Sequence, residues 1–198
     1  MNRLKNISSL LTFAFLLIGT SAYAQIPDEN TQIKSATLAA PEEMRTGVTV
    51  LGFNSKGQLV TLKEGTNDLI CLADDPNRKG FNAACYHKDL EPFMARGRTL
   101  KAEGKSPKEI FDMREAEVKS GKLKMPSQPT TLHILYGPNG SYDEATGQMI
   151  ETKYRYVIYI PYATPESSGL PTKPRAPGEP WLMDPGTHRA HIMVTPKN

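Results

Sequence analysis

The chain has 198 residues, with 24 Lys and Arg against 21 Asp and Glu, and a formal net charge of +3. Acids and bases are interspersed, which excludes the basic stripe that a nucleic-acid binder needs. The length suits one domain with a core of ordinary size.

The first residues read as an address. Arg3 and Lys5 form a short positive region, Leu10 to Ile18 an apolar run too short to span a bilayer comfortably, and Ala22-Tyr23-Ala24 a small-x-small cleavage site. Residues 1–24 are expected to be a signal peptide cleaved after Ala24. No second apolar run follows, so no transmembrane segment is expected after cleavage, and no lipidation cysteine sits at the cleavage point. The destination is periplasmic or secreted. Export means an oxidising compartment, where the two cysteines, Cys71 and Cys85, most simply form one disulfide. A loop of about 15 residues closed in this way is worth roughly 3 kcal/mol. The alternative is a Cys85 nucleophile with His87 as its base, since residues i and i+2 share a strand face. The spacing fits neither a haem-attachment nor a CxxC motif.

Residues 25–47 read as a mobile N-terminal tail followed by one helical turn at Pro41 to Arg45, stopped by Gly47. Residues 48–198 read as a single domain. It opens with strands over Val48–Phe53, Leu59–Leu62, Leu69–Leu72 and Phe81–Tyr86, separated by turn-forming residues. The acids Asp74 and Asp75 fall in one of those turns, with Pro76. Asp89 is placed to cap a helix to Ala102, with Pro92 harmless in its first turn. Ser106-Pro107-Lys108-Glu109 is a capping box that starts a second helix, stopped by Gly121. Further strands follow over Thr130–Tyr136 and Lys153–Tyr162, the latter with Tyr154, Tyr156 and Ile158 on one face and Arg155, Val157 and Tyr159 on the other. A proline-rich loop over Ala163–Pro180 leads into two short strands around Trp181–Met183 and Ala190–Val194. Strands, then helices, then strands predict an α+β fold: a mainly antiparallel sheet covered by a helical hairpin over Asp89–Gly121. The C-terminal segment is expected to close the core through Trp181, the only tryptophan.

The segments CLADDP (71–76), ACYH (84–87), LEPFMARGR (90–98), PYATPESSGLP (161–171) and PWLMDPGTHRAHIM (180–193) resemble a family of exported bacterial proteins of unknown function. The resemblance runs from about Ala36 to Met193. It implies export and a single domain, and brings no activity, cofactor or catalytic residue.

Two constellations carry candidate chemistry. His188 and His191 form an H-x-x-H, and His87 precedes a helix with Glu91 one turn along. A divalent metal wants two or three imidazoles and a carboxylate converging, so His87, His188, His191 and Glu91 are the candidate ligands. H-x-x-H on a strand points its residues to opposite faces, so the plain reading is a turn histidine and a half-buried strand histidine. The second constellation is a small-molecule pocket. Tyr154, Tyr156, Tyr159, Tyr162 and Trp181 supply amphipathic rings, and Arg96 and Arg98 supply cations for a planar or anionic group. Its plain counterpart is a strand of β-forming tyrosines with one wet end. Ser141, Ser167 and Ser168 lie in loops without the G-x-S-x-G elbow of a serine hydrolase, and no glycine-rich phosphate loop is present. The expectation is therefore a small-ligand-binding or structural module of the cell envelope. The alternative is a metal-binding protein or metal-dependent hydrolase using His87, His188 and His191.

Overall fold

The computed structural model describes residues 26–197. The expected signal peptide and its cleavage point lie outside them. The fold is α+β around a mostly antiparallel sheet, as the segregated strands and helices predict.

The stretch read as a mobile tail departs from expectation, because Glu29–Thr37 form a helix, α1. Asp28 starts it: its carboxylate accepts from the N–H groups of Asn30 and Thr31 at 2.9 and 3.1 Å. The buried side of α1 is Gln32, Ser35 and Ala36, too polar and too small to register as an apolar stripe. A short 3-10 turn over Glu42–Gly47 follows, where one helical turn is expected.

The strands β1 (Thr49–Phe53), β2 (Leu59–Lys63), β3 (Leu69–Leu72) and β4 (Phe81–His87) fall where the alternation puts them. Helices α2 (Glu91–Ala102) and α3 (Pro107–Lys119) come next, and α3 opens on the capping box of Ser106 and Glu109. Strands β5 (Thr130–Gly137) and β8 (Lys153–Tyr159) flank a separate small hairpin of β6 (Ser141–Asp143) and β7 (Gln148–Ile150). The proline-rich loop holds one helical turn, α4 (Pro165–Ser168), and the chain ends on β9 (Trp181–Met183) and β10 (His191–Val194).

Eight strands form the main sheet in the order β2-β1-β3-β4-β5-β8-β10-β9. Only β1 and β3 pair in parallel; every other neighbour is antiparallel. Gln32 of α1 serves the free end of β1, where pairing with β3 has run out: its amide group donates to the Phe53 carbonyl at 2.9 Å and accepts from the Phe53 N–H at 2.7 Å.

The two faces of the sheet carry separate cores. On one, Val50, Cys71, Ala83, Cys85 and Leu135 pack beneath Ala36, Ala39 and Ala40 from α1 and the turn after it. On the other, Tyr86, Leu132, Val157, Tyr159 and Met193 pack with Leu90, Phe93 and Leu123. Cys71 and Cys85 stand opposite each other on β3 and β4 and are bridged. No thiol is left free, which removes the Cys85–His87 nucleophile.

The C-terminal segment closes the core differently from expectation. Strand alternation sends Leu182, fully buried, to the face that α1 occupies, and partly exposed Trp181 to the other. β9 is the outermost strand, so its tryptophan meets solvent on one side.

Candidate functional site

The structure does not bring the expected metal ligands together. His87 ends β4, where its Nδ1 accepts from the Asp89 N–H at 3.3 Å and its ring lies 3.5 and 4.0 Å from the Asp89 and Asp68 carboxylates. Glu91 is committed elsewhere, accepting from the Tyr86 hydroxyl at 2.6 Å and from Arg98 at 2.5 Å. His191 is buried in β10, with its Nδ1 on the Arg189 carbonyl at 2.7 Å. His188 is sealed in the turn before it and pairs with Glu115 of α3. Among the described residues, no group of three or more His, Cys, Asp or Glu could hold a metal ion. The metal reading is therefore corrected: each histidine has its own local partner, and the two of H-x-x-H are core residues.

Glu115 is the partner that sequence reasoning missed, because it lies 73 positions from His188 and no spacing links them. One Glu115 oxygen accepts both the backbone N–H of His188, at 2.8 Å, and its ring Nδ1–H. Burial pushes the Glu115 carboxyl up. The hydrogen bonds from His188 and Lys119 outweigh it and hold the group at about 2. Burial pushes the His188 imidazole down, against the pull of Glu115. The pair is thus a neutral imidazole on an ionised carboxylate, with the Nε2 lone pair buried and unpartnered. Such a dyad resembles the orienting half of a nucleophilic triad. Here Phe93 and Phe111 close over the ring at centroid distances of 5.6 and 4.9 Å, and among the described residues no group bonds its Nε2. The arrangement clamps the C-terminal turn onto α3.

The expected ligand residues also divide. Arg96 is consumed between helices, with contacts of 2.6 to 3.0 Å to Glu117 and a weaker one to Glu103. Trp181 lies on the face opposite Tyr154 and Tyr156. Tyr154 and Tyr156 remain together. Their rings lie 6.4 Å apart at 7° to each other, and each residue is 38% exposed. The Tyr154 hydroxyl donates to the Leu38 carbonyl at 3.2 Å, at the end of α1.

Register supplies the rest of this surface. Tyr156 stands opposite His133 on one side and Val194 on the other, and Ile158 stands opposite Thr131 and Ile192. His133 meets the Tyr156 ring edge-on at 5.7 Å, and burial holds its imidazole below the ordinary 6.5. None of these neighbours carries a fixed charge. His133 was not singled out in the sequence, although the two-residue period of β5 already separates it from Leu132 and Ile134. The result is a tyrosine-topped stretch of sheet between α1 and the proline-rich loop. That loop is pinned beside it by the Leu182 N–H, which donates to the Pro171 carbonyl at 2.8 Å.

No family model matches the chain, and neither the curated proteins nor the solved structures contain a match.

Proposed function

We propose that this chain is an exported small-ligand-binding module of the cell envelope, and that the Tyr154–Tyr156 pair with His133 is its binding surface. The observation that carries the reading is the pair itself: two nearly parallel tyrosine rings held partly exposed on a sheet face whose other half is dry. Tyrosines offer an apolar ring face and a polar rim, so they suit ligands that are flat on one side and hydroxylated at the edge. The absence of fixed charge among the register neighbours favours a neutral ligand, and a saccharide ring is the simplest chemical class with these properties. Export from a signal peptide over residues 1–24, and kinship with the exported bacterial proteins that the 71–76 and 180–193 motifs resemble, belong to the same proposal. The Cys71–Cys85 bridge supports the oxidising destination. In this reading the α2–α3 hairpin serves as the cover of the opposite face, supported by Phe93 edge-on to Tyr159 at 5.6 Å and Arg114 over Phe93 at 3.9 Å.

The test is titration of the mature protein with a panel of neutral mono- and oligosaccharides, followed by tyrosine fluorescence and calorimetry. We predict saturable binding that weakens by about tenfold or more, roughly 1.4 kcal/mol, in Tyr156→Ala. If no sugar binds, or if binding survives the loss of both rings, the platform has no such role.

A further inference from the structure

We propose that the open end of the sheet face opposite the tyrosine platform, walled by the proline-rich loop, is a binding site for a flat aromatic carboxylate. Every second residue of β8 points to that face, and exposure rises along it: Tyr159 and Val157 are buried, Arg155 is partly exposed and Lys153 is exposed. Packing with Leu90 and Phe93, which covers Val157 and Tyr159, has therefore given out before Lys153. Tyr136 stands opposite Lys153 on β5, and register through Met193 brings Trp181 of β9 to the same face. Residues 174–179 of the proline-rich loop and residues 195–197 after β10 complete a cleft of about 520 Å³. That is the size of an ordinary small-molecule site.

Rings and charge together define the occupant. Tyr136 and Trp181 are the aromatic residues of the lining, and both are partly exposed. The lining carries three cations, Lys153, Arg175 and Lys197, against one acid, Glu179. Glu179 is already engaged: it accepts from the Arg175 Nε at 2.7 Å and from the backbone N–H groups of Arg175 and Ala176 at 2.6 and 3.2 Å. Lys153 and Lys197 thus have no acid in the cleft to answer them. Arg155 adds positive charge beside it. Its guanidinium lies 4.4 Å from the Tyr136 ring centre and donates to the Tyr136 hydroxyl at 2.9 Å. Its Nε is buried without a hydrogen-bond partner, and among the described residues no carboxylate pairs with it. The Tyr136 hydroxyl, accepting from Arg155, keeps its own hydrogen to give. A carboxylate answers the lysines and this hydroxyl, and a flat ring covers the faces that Trp181 and Tyr136 leave open. A bare inorganic anion would leave the rings wet, and a neutral ring would leave the lysines unanswered.

The experiment is calorimetric titration of the protein with naphthoate at low ionic strength, where exposed charges are least screened. Saturable binding is expected, with the neutral isostere naphthamide weaker by about tenfold or more. Joint replacement Lys153→Ala and Lys197→Ala should weaken naphthoate by about tenfold or more, and both side chains are exposed, so folding is not at stake. Trp181→Leu should weaken it similarly. Because that variant also touches packed residues, cyclohexanecarboxylate is titrated into the unmodified protein, where loss of the aromatic ring should weaken binding to the same degree. Tyr154→Ala should leave the affinity for naphthoate unchanged, which separates this site from the tyrosine platform. The proposal is overturned if naphthoate does not bind, if naphthamide or cyclohexanecarboxylate binds equally well, or if the double lysine variant keeps full affinity. Sensitivity to Tyr154→Ala equal to that of the double lysine variant overturns it too. So does displacement of naphthoate by an equal concentration of inorganic phosphate, which would make the cleft a plain anion site.

Discussion

The two halves of the sheet face beneath α1 are made of the same strands and meet different fates. One row of register partners crosses both: Val50, Cys71, Cys85, His133, Tyr156 and Val194. Its first three members are fully buried, His133 is partly covered, and Tyr156 is 38% exposed. The pleat does not change along the row; the cover does. Ala36, Ala39 and Ala40 are small enough to let α1 and the turn after it settle directly onto the cysteine side of the row. Past Leu38, whose carbonyl receives the Tyr154 hydroxyl at 3.2 Å, the cover thins and Tyr154 and Tyr156 each stay 38% exposed. Strand chemistry alone thus does not decide whether a sheet face becomes core or surface. The size of the residues laid across it does, and the residues on the open side have been left free of a packing role.

The sharpest way to break this contrast is to shorten two side chains that face each other across the boundary. Leu135 and Tyr154 are register partners on the same face, the first 1% and the second 38% exposed. We predict that Leu135→Ala costs about 2–5 kcal/mol, as truncation of a buried leucine does. Tyr154→Ala should cost no more than about 1 kcal/mol. Urea unfolding of the two variants measures both, and similar losses would show that the open half is structural after all. Next in size is the bridge. Replacing both Cys71 and Cys85 with serine should destabilise the protein by about 2–5 kcal/mol. Calorimetry should show this as a lower melting temperature, and an unchanged one would mean that α1 alone secures the closed half.

The smallest effect belongs to His133, which sits on the boundary. Burial holds its folded-state imidazole below 6.5, so the unfolded chain binds more protons just below that pH. The protein should therefore lose stability as pH falls from 6.5 toward the folded value. His133→Gln should remove this share of the loss and leave a flatter profile between about pH 7.5 and 5.5. Chemical denaturation across this range compares them; parallel profiles would place His133 in water, outside the protected half.

Much of this fold was legible in the residues. The first four strands and the start of α3 follow from alternation, turn chemistry and the Ser106–Glu109 box, because these are local effects. The expected Asp89 cap does not form, since Asp89 lies in a 3-10 turn capped by His87 and α2 starts after Leu90 with no side-chain cap. What could not be read depends on distant partners. α1 hides because its buried face is Gln32, Ser35 and Ala36, a pattern that means nothing until Phe53 of β1 is known to need a hydrogen-bonding partner. The parallel pairing of β1 with β3 leaves no local mark, since β2 lies between them in sequence and outside them in space. At the candidate site, the alternation along β8 correctly kept Tyr154 and Tyr156 on one face. Trp181 and Arg96 were grouped with them by residue type alone, and residue type carries no information about which face or which ion pair will claim a side chain. The histidines failed for a related reason: His188 is explained by Glu115, which no spacing rule could have joined to it.

The position of the bridge also bears on how the protein matures. Cys71 and Cys85 can meet only when β3 and β4 are aligned so that these two residues stand opposite each other on the α1 face. A slip of one residue would turn one sulfur to the far side of the sheet. Closing the bridge therefore requires and then seals the correct alignment, and a chain slipped by one residue keeps its two thiols apart.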